Sequence, residues 1–579
     1  MSSKKFRLLF LFSTVTFSLL FLFLRLSDAH NVHSFQELTD RFFQEEVTSS
    51  TLTLHYTLRN PQIYGIPDSP VRYSSADSDI SVTETYFQQL KDLDPACLPV
   101  TDQITYDILL YLLKQNLSAQ KFSLYAEPLG ATIGIQAQLP VLLCEYRFDN
   151  MNDIHTYLQL LSTTDQYFSS LLSYERQKAA AGLFMPDSCA DGIIRQCNTF
   201  IEKEPSKHLL VTVFNKKIQA LNFLEASEKQ DLQNQNLAIV SDHIFPAYRL
   251  LARGLENLKQ SCRNQKGLYY LPQGCAYYEH LVQASTGSAL SVNSIQNRIQ
   301  KQLLADAADC RELLKQGLDA TLISSITFPD DPREILSDLR QKMTADFPQP
   351  PAASCTLKYV DESLSPYLSP AFYLTAPVDD LTENVIYLNP SAGYSGLELY
   401  TTLAHEGYPG HLYQNLYSGS ALSPIRSLLS FGGYTEGWAT YVEMISYRYA
   451  SEGMPENCVA AISLEQKQRS MMLGLSSLTD ILVHYRGFNR EETRHFFSGL
   501  GITSTQAADT LYDAVLESPA NYLKYYLGYL SFLDLQTYCH SRWPDQFTLS
   551  GFHRYILEIG PCPFPVLEKY LKLCYTHSL

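Results

Sequence analysis

Thr401-Thr-Leu-Ala-His405-Glu406-Gly407-Tyr408-Pro409-Gly410-His411, with Glu436 further on in Tyr434-Thr-Glu436-Gly-Trp438-Ala, decides how this chain is read. Two imidazoles and one carboxylate are a ligand set for a divalent metal, most often zinc, that leaves one coordination position open. A Glu beside the first His is placed to take a proton from water. In the common His-Glu-x-x-His pattern the two His lie four residues apart on one helix face. Here that position is Pro409, and His411 comes six residues after His405. Six residues of regular helix turn through about 600°, which puts the two rings on different faces. Pro409 removes a ladder hydrogen bond and Gly410 gives backbone latitude, so the sequence predicts a local break that re-phases His411.

The flanks extend this reading. Ser395-Gly-Leu-Glu398 fits a capping box at the start of a helix. Leu397, Tyr400, Leu403 and Ala404 fall on its core-facing stripe, and Glu398, Thr402 and His405 on another. After Gly432-Gly433 a second helix is predicted over Tyr434 to Tyr449, with Glu436, Thr440 and Glu443 on one face. Upstream, Pro348, Pro350 and Pro351 interrupt helical periodicity. The β-rich runs Cys355–Val360, Ala371–Thr375 and Asn384–Leu388 then predict a small antiparallel sheet beside the metal helices. Its edge either pairs with an extended peptide or only covers the core.

Residues 31–345 read mainly as helices, with apolar periodicity over Asn152–Ala181, Lys207–Leu258 and Asn293–Leu318. The fold class expected is therefore mainly α. Residues 31–345 would wall a cleft, and residues 346–579 would hold the sheet and the metal-binding helices. At 579 residues the chain can bury a large core. A net charge of −16 argues against a nucleic-acid partner, which calls for clustered Lys and Arg.

Residues 1–30 form a separate segment. Lys4, Lys5 and Arg7 precede the apolar run Leu8–Leu24, followed by Arg25 and Ser27-Asp28-Ala29. This is either a cleaved secretory signal or a retained membrane anchor, and both place the body of the protein outside the cytoplasm. No Cys directly follows the run, as a lipid-anchored lipoprotein would need. The 12 cysteines are an even number. Cys189 with Cys197, and Cys262 with Cys275, are near enough in sequence for local bridges; buried thiols are the other reading. Oligomeric state is not readable.

His-Glu-x-x-Pro-Gly-His, preceded by Leu388-Asn-Pro390 and followed by Glu436-Gly-Trp-Ala, resembles the bacterial domain-of-unknown-function 885 family. Further likenesses are Gly182–Pro186, Leu271-Pro-Gln-Gly274 with Tyr277-Tyr278, and Pro519–Gly528, so the resemblance spans residues 35–575. It implies a zinc metallopeptidase of the thermolysin-like clan, distantly akin to thimet oligopeptidase and carboxypeptidase Taq. It implies His405, His411 and Glu436 as ligands of one Zn2+ and Glu406 as general base. It also implies Tyr525 as an oxyanion donor, although Tyr522, Tyr526 and Tyr529 share the same stretch. Glu517 and Ser518 stand where the family carries an Arg, which puts carboxylate recognition there in doubt. Glu443 reads either as a carboxylate orienting a ligand His or as a solvated charge, and Trp438 as core packing. The function expected is an exported zinc peptidase acting on short peptides. Alternatives are a catalytically silent protein that binds peptides or cell-wall fragments, and a metal hydrolase of another amide.

Overall fold

The computed structural model describes residues 28–577 apart from 68, 75–79, 316, 320, 361–364, 366–367 and 420–421. The apolar run of residues 8–24 lies outside the described residues. Among those described, no helix is long and apolar enough to cross a membrane.

The architecture is mainly helical with one three-stranded sheet. The periodic stretches divide where local chemistry interrupts them. Asn152–Ala181 is two helices, Met151–Leu161 and Thr164–Ala181, separated at Ser162-Thr163. The first starts on a capping box in which Asn150 and Asp153 exchange hydrogen bonds. Lys207–Leu258 holds a helix over Leu209–Ala220 and a longer one beginning at Ala226. The longer one passes through a π-turn at Val240–Ile244, which ends two residues before Pro246, and continues to Leu258. A widened turn there accommodates a residue with no N–H to give.

Seven helices frame the centre described below: α1 (Gly274–Thr286), α2 (Val292–Lys315), α3 (Gly396–Glu406), α4 (His411–Gly419), α5 (Gly432–Ala450), α6 (Glu456–His484) and α7 (Asn521–Arg542). The strands are β1 (Ser354–Tyr359), β2 (Ala371–Leu374) and β3 (Glu383–Leu388), in the order β1-β3-β2. β2 runs antiparallel to β3, with Ala371 opposite Leu388, but β1 runs parallel to it, with Ser354 opposite Glu383. The sheet is therefore mixed rather than wholly antiparallel. The strand directions alternate along the chain, but β3 inserts between β1 and β2, so β1 lies beside the strand that shares its direction. Along β3, Ile386 and Leu388 enter the larger hydrophobic core while Val385 and Tyr387 pack on the smaller one. That is the period-two alternation of a strand wedged between two cores. The larger core takes residues from Phe35 to Tyr575 and so draws on both sides of residue 345.

One further expectation is corrected, and one left open is decided. Ser395 is the N-cap of α3, but its side chain makes no capping bond. Gly396 lies in the left-handed region at φ +55°, and its N–H goes to the Asp330 carboxylate at 3.3 Å. Among the described residues no cysteine takes part in a disulfide. Cys189 and Cys197 share one helix, Asp187–Phe200, eight residues apart. That spacing is about 12 Å along the axis, beyond disulfide reach. The Cys262 thiol faces the Asn264 carbonyl oxygen at 3.2 Å.

Candidate metal centre

The break in the motif is complete. α3 ends at Glu406 and α4 begins at His411, with Gly407–Gly410 turning the chain between them. A Cβ at Gly410 would fall 1.7 Å from the His405 carbonyl oxygen, so only glycine fits there. Trp438 is fully buried, and its indole N–H donates to the Pro409 carbonyl at 2.9 Å. It thereby ties the turn to α5, the helix that carries Glu436.

This geometry brings His405, His411 and Glu436 together, with one potential ligand atom from each within 4.8 Å of the others. The two rings are 5.0 Å apart and nearly perpendicular, at 80°. Glu436 Oε2 lies 3.7 Å from His405 Nε2 and 3.5 Å from His411 Nε2. On the far side of the His405 ring, Nδ1 is 3.0 Å from Glu443 Oε2. In the neutral ring, an Nδ1–H donated to that carboxylate leaves the Nε2 lone pair facing His411 and Glu436. Glu443 is buried, and its other oxygen accepts from Arg469 Nε at 2.7 Å.

The charges fit a cation. Burial acts to lower the basicity of His405, but Glu436, Glu443 and Glu406 outweigh it and raise its pKa to about 10. Burial opposes ionisation of Glu443, yet Arg469 and His405 bring its pKa down to about 2. Glu436 is likewise held well below the usual carboxylate range: His405, His411 and Lys524 overcome the cost of its burial. Three carboxylates around two imidazoles thus hold a proton where a metal ion would sit. The donor set, two imidazole nitrogens and a carboxylate oxygen, suits zinc.

Glu406 follows His405 at the end of α3, and its Oε2 accepts from the Tyr373 N–H on β2 at 2.9 Å. Among the described residues β2 is an edge strand that pairs with β3 on one side only. Tyr525 stacks at 6.5 Å from the His405 ring, with Glu436 near its hydroxyl. Burial, then Glu436 and Glu406, push the phenol well above its ordinary pKa, so it stays protonated and able to donate. Arg469, Lys524 and the Tyr373 amide are the parts of this centre that sequence reasoning missed. Lys524 Nζ lies 3.6 Å from Glu436 Oε1. Its position beside Tyr525 was the available signal. Arg469 and Tyr373 belong to no motif and come close only through the fold.

The chain belongs to the DUF885 family, described as bacterial protein of unknown function, whose model matches residues 71–571. No curated protein matches it. Among solved structures it is similar to a candidate lipoprotein from Colwellia psychrerythraea, with 20% identity, a TM-score of 0.81, and coverage of 94% of this chain and 99% of that one. A candidate lipoprotein of unknown function from Shewanella oneidensis is similar at 16% identity and a TM-score of 0.66, covering 93% and 99%. At such identities these likenesses show the shared fold. A candidate oligoendopeptidase F from Bacillus anthracis aligns at a TM-score of only 0.31, too slight a likeness to carry an argument.

Proposed function

We propose that this protein is a zinc-dependent peptidase acting on short peptides outside the cytoplasm. The observation that carries the reading is the convergence of His405, His411 and Glu436 within 4.8 Å, with Glu406 and Tyr525 beside them. His405, His411 and Glu436 would hold one zinc ion per chain. Zinc bound there supplies Lewis acidity, which acidifies water and polarises a carbonyl. Glu406, oriented by the Tyr373 amide, takes the proton from the attacking water and later delivers it to the leaving amine. Tyr525 donates its phenolic proton in a hydrogen bond to the oxyanion that forms as water adds to the scissile carbonyl. The unpaired side of β2 offers backbone groups to an extended peptide next to Glu406. The basic and apolar N-terminal segment supports an exported body, as do structural neighbours described as candidate lipoproteins.

Zinc content and peptide cleavage test this reading. Purified protein is expected to hold about one zinc per chain, as the ligand count requires. The folded His411→Ala variant should lose it, and Glu406→Gln should keep the zinc but lose peptide cleavage. Zinc retained by His411→Ala would remove that residue from the ligand set. Cleavage by Glu406→Gln at the wild-type rate would overturn the peptidase assignment.

A further inference from the structure

Beside the metal centre lies a cavity of about 350 Å³, enclosed by α1, the N-terminal end of α7 and the loops around residues 125–134, 183–189 and 264–271. It is at the small end of the ~300–1,000 Å³ range of ligand pockets. Five charged side chains line it: Glu127, Lys178, Lys266, Glu517 and Lys524. Four are engaged away from the metal. Lys178 bonds to Glu127 and is 3.4 Å from Glu175. Lys266 lies over the Tyr270 ring at 4.5 Å. Glu517, which stands near the position of the absent Arg, accepts from the Thr132 N–H at 2.8 Å.

Lys524 differs. Its aliphatic stem crosses Gly432 so closely that a Cβ there would lie 3.1 Å from Lys524 Cδ. The glycine thus seats the stem and directs the ammonium between the cavity and Glu436. Glu436 divides its oxygens, with Oε2 towards the two His and Oε1 towards Lys524. When Glu436 serves a cation through Oε2, the ammonium keeps a partial partner and has hydrogens to give. The cavity also faces the first turn of α7, whose N-cap residue Ala520 provides no side-chain cap. A helix N-terminus carries partial positive charge and favours anions. At that turn the Asp480 carboxylate takes the Ala520 N–H at 3.0 Å with both oxygens.

We infer that Lys524 is the anion anchor of the site and binds a substrate carboxylate within a residue or two of the scissile bond. The inference rests on the peptidase reading and deepens it. The source of the carboxylate is either the free C-terminus of a short peptide or an acidic side chain near its end. A free terminus would make the enzyme trim peptides from their C-terminal end.

The test compares one peptide series as free acids, as C-terminal amides, and as amides with Asp or Glu in the last two positions. Wild type, Lys524→Met and Lys524→Arg are assayed after each is shown to carry the same zinc. In wild type the free acid is expected to exceed the amide by about tenfold or more in kcat/KM, mostly through KM, as for a hydrogen bond to a charged group. That ratio should fall towards one in Lys524→Met and return in Lys524→Arg. If acidic amides alone show the preference, the carboxylate comes from a side chain. A ratio unmoved by Lys524→Met, or a wild type indifferent to every carboxylate, would overturn the anchor. Should no peptide be cleaved, the peptidase reading fails by itself. Calorimetric binding of free-acid and amide peptides to wild type and Lys524→Met then decides the anchor by the same ratios in Kd.

Discussion

Glu443 shows what one side chain does for its neighbours. Its two oxygens are committed to different groups, one to His405 Nδ1 at 3.0 Å and the other to Arg469 Nε at 2.7 Å. The first bond selects the His405 tautomer that leaves Nε2 free, and the second fixes the carboxylate that makes the selection. Glu443→Gln keeps the shape and removes the charge. Its zinc affinity is expected to fall by about 10–100-fold, the usual effect of losing such a supporting carboxylate. Competition against a chelator of known affinity measures this, and an unchanged affinity would reduce Glu443 to a packing role. Residues at this scale were legible in proportion to their spacing. Glu443 shares the Glu436 face of α5 seven positions on, so the helical period exposed it as a candidate. Arg469 is on α6, and no period within one helix connects it to either partner.

The same divide appears between elements. α5 was expected over 434–449 and occupies Gly432–Ala450, because apolar spacing and the Gly432-Gly433 start are local signals. The parallel pairing of β1 arises because β3 inserts between β1 and β2, a strand order that local strand propensity does not register. The approach of α5 to α7 was equally hidden. A Cβ on Gly437 would lie 2.5 Å from Gly528 Cα, and one on Gly528 would lie 2.2 Å from the Gly433 carbonyl oxygen. The two backbones are in direct contact, and this contact brings Tyr525 and Lys524 up to Glu436. Gly437→Ala should force the helices apart at a cost of about 1–3 kcal/mol, as overpacking does. Urea unfolding would show the lower midpoint. Tyr525 moves away from Glu436 in the same step, so catalysis should fall further than zinc content. An alanine variant as stable and active as wild type would mean that the helices have slack the close contact does not suggest.

Across the whole molecule the centre lies where the sheet edge meets α3, α5 and α7, and its charge balance links metal, protons and folding. Without a metal, His405 has its pKa raised to about 10 against an ordinary 6.5. A group whose folded pKa is raised stabilises the fold fully below its unfolded value, and that contribution is lost as pH rises through the folded pKa. The metal-free protein should therefore lose stability between pH 6.5 and about 10 from this group. A metal needs the neutral imidazole, so binding must expel the proton that the carboxylates hold. Zinc binding at pH 7.5 is accordingly expected to release about one proton from His405, and apparent affinity should rise about tenfold per pH unit. Calorimetric titrations in buffers of different ionisation enthalpy count that proton directly. The rise in Tm on adding zinc should widen over the same pH interval, since binding to the folded state alone stabilises it by mass action. Binding enthalpies that do not depend on the buffer would show that His405 is already neutral. The carboxylates would then be balanced by some group other than its ring.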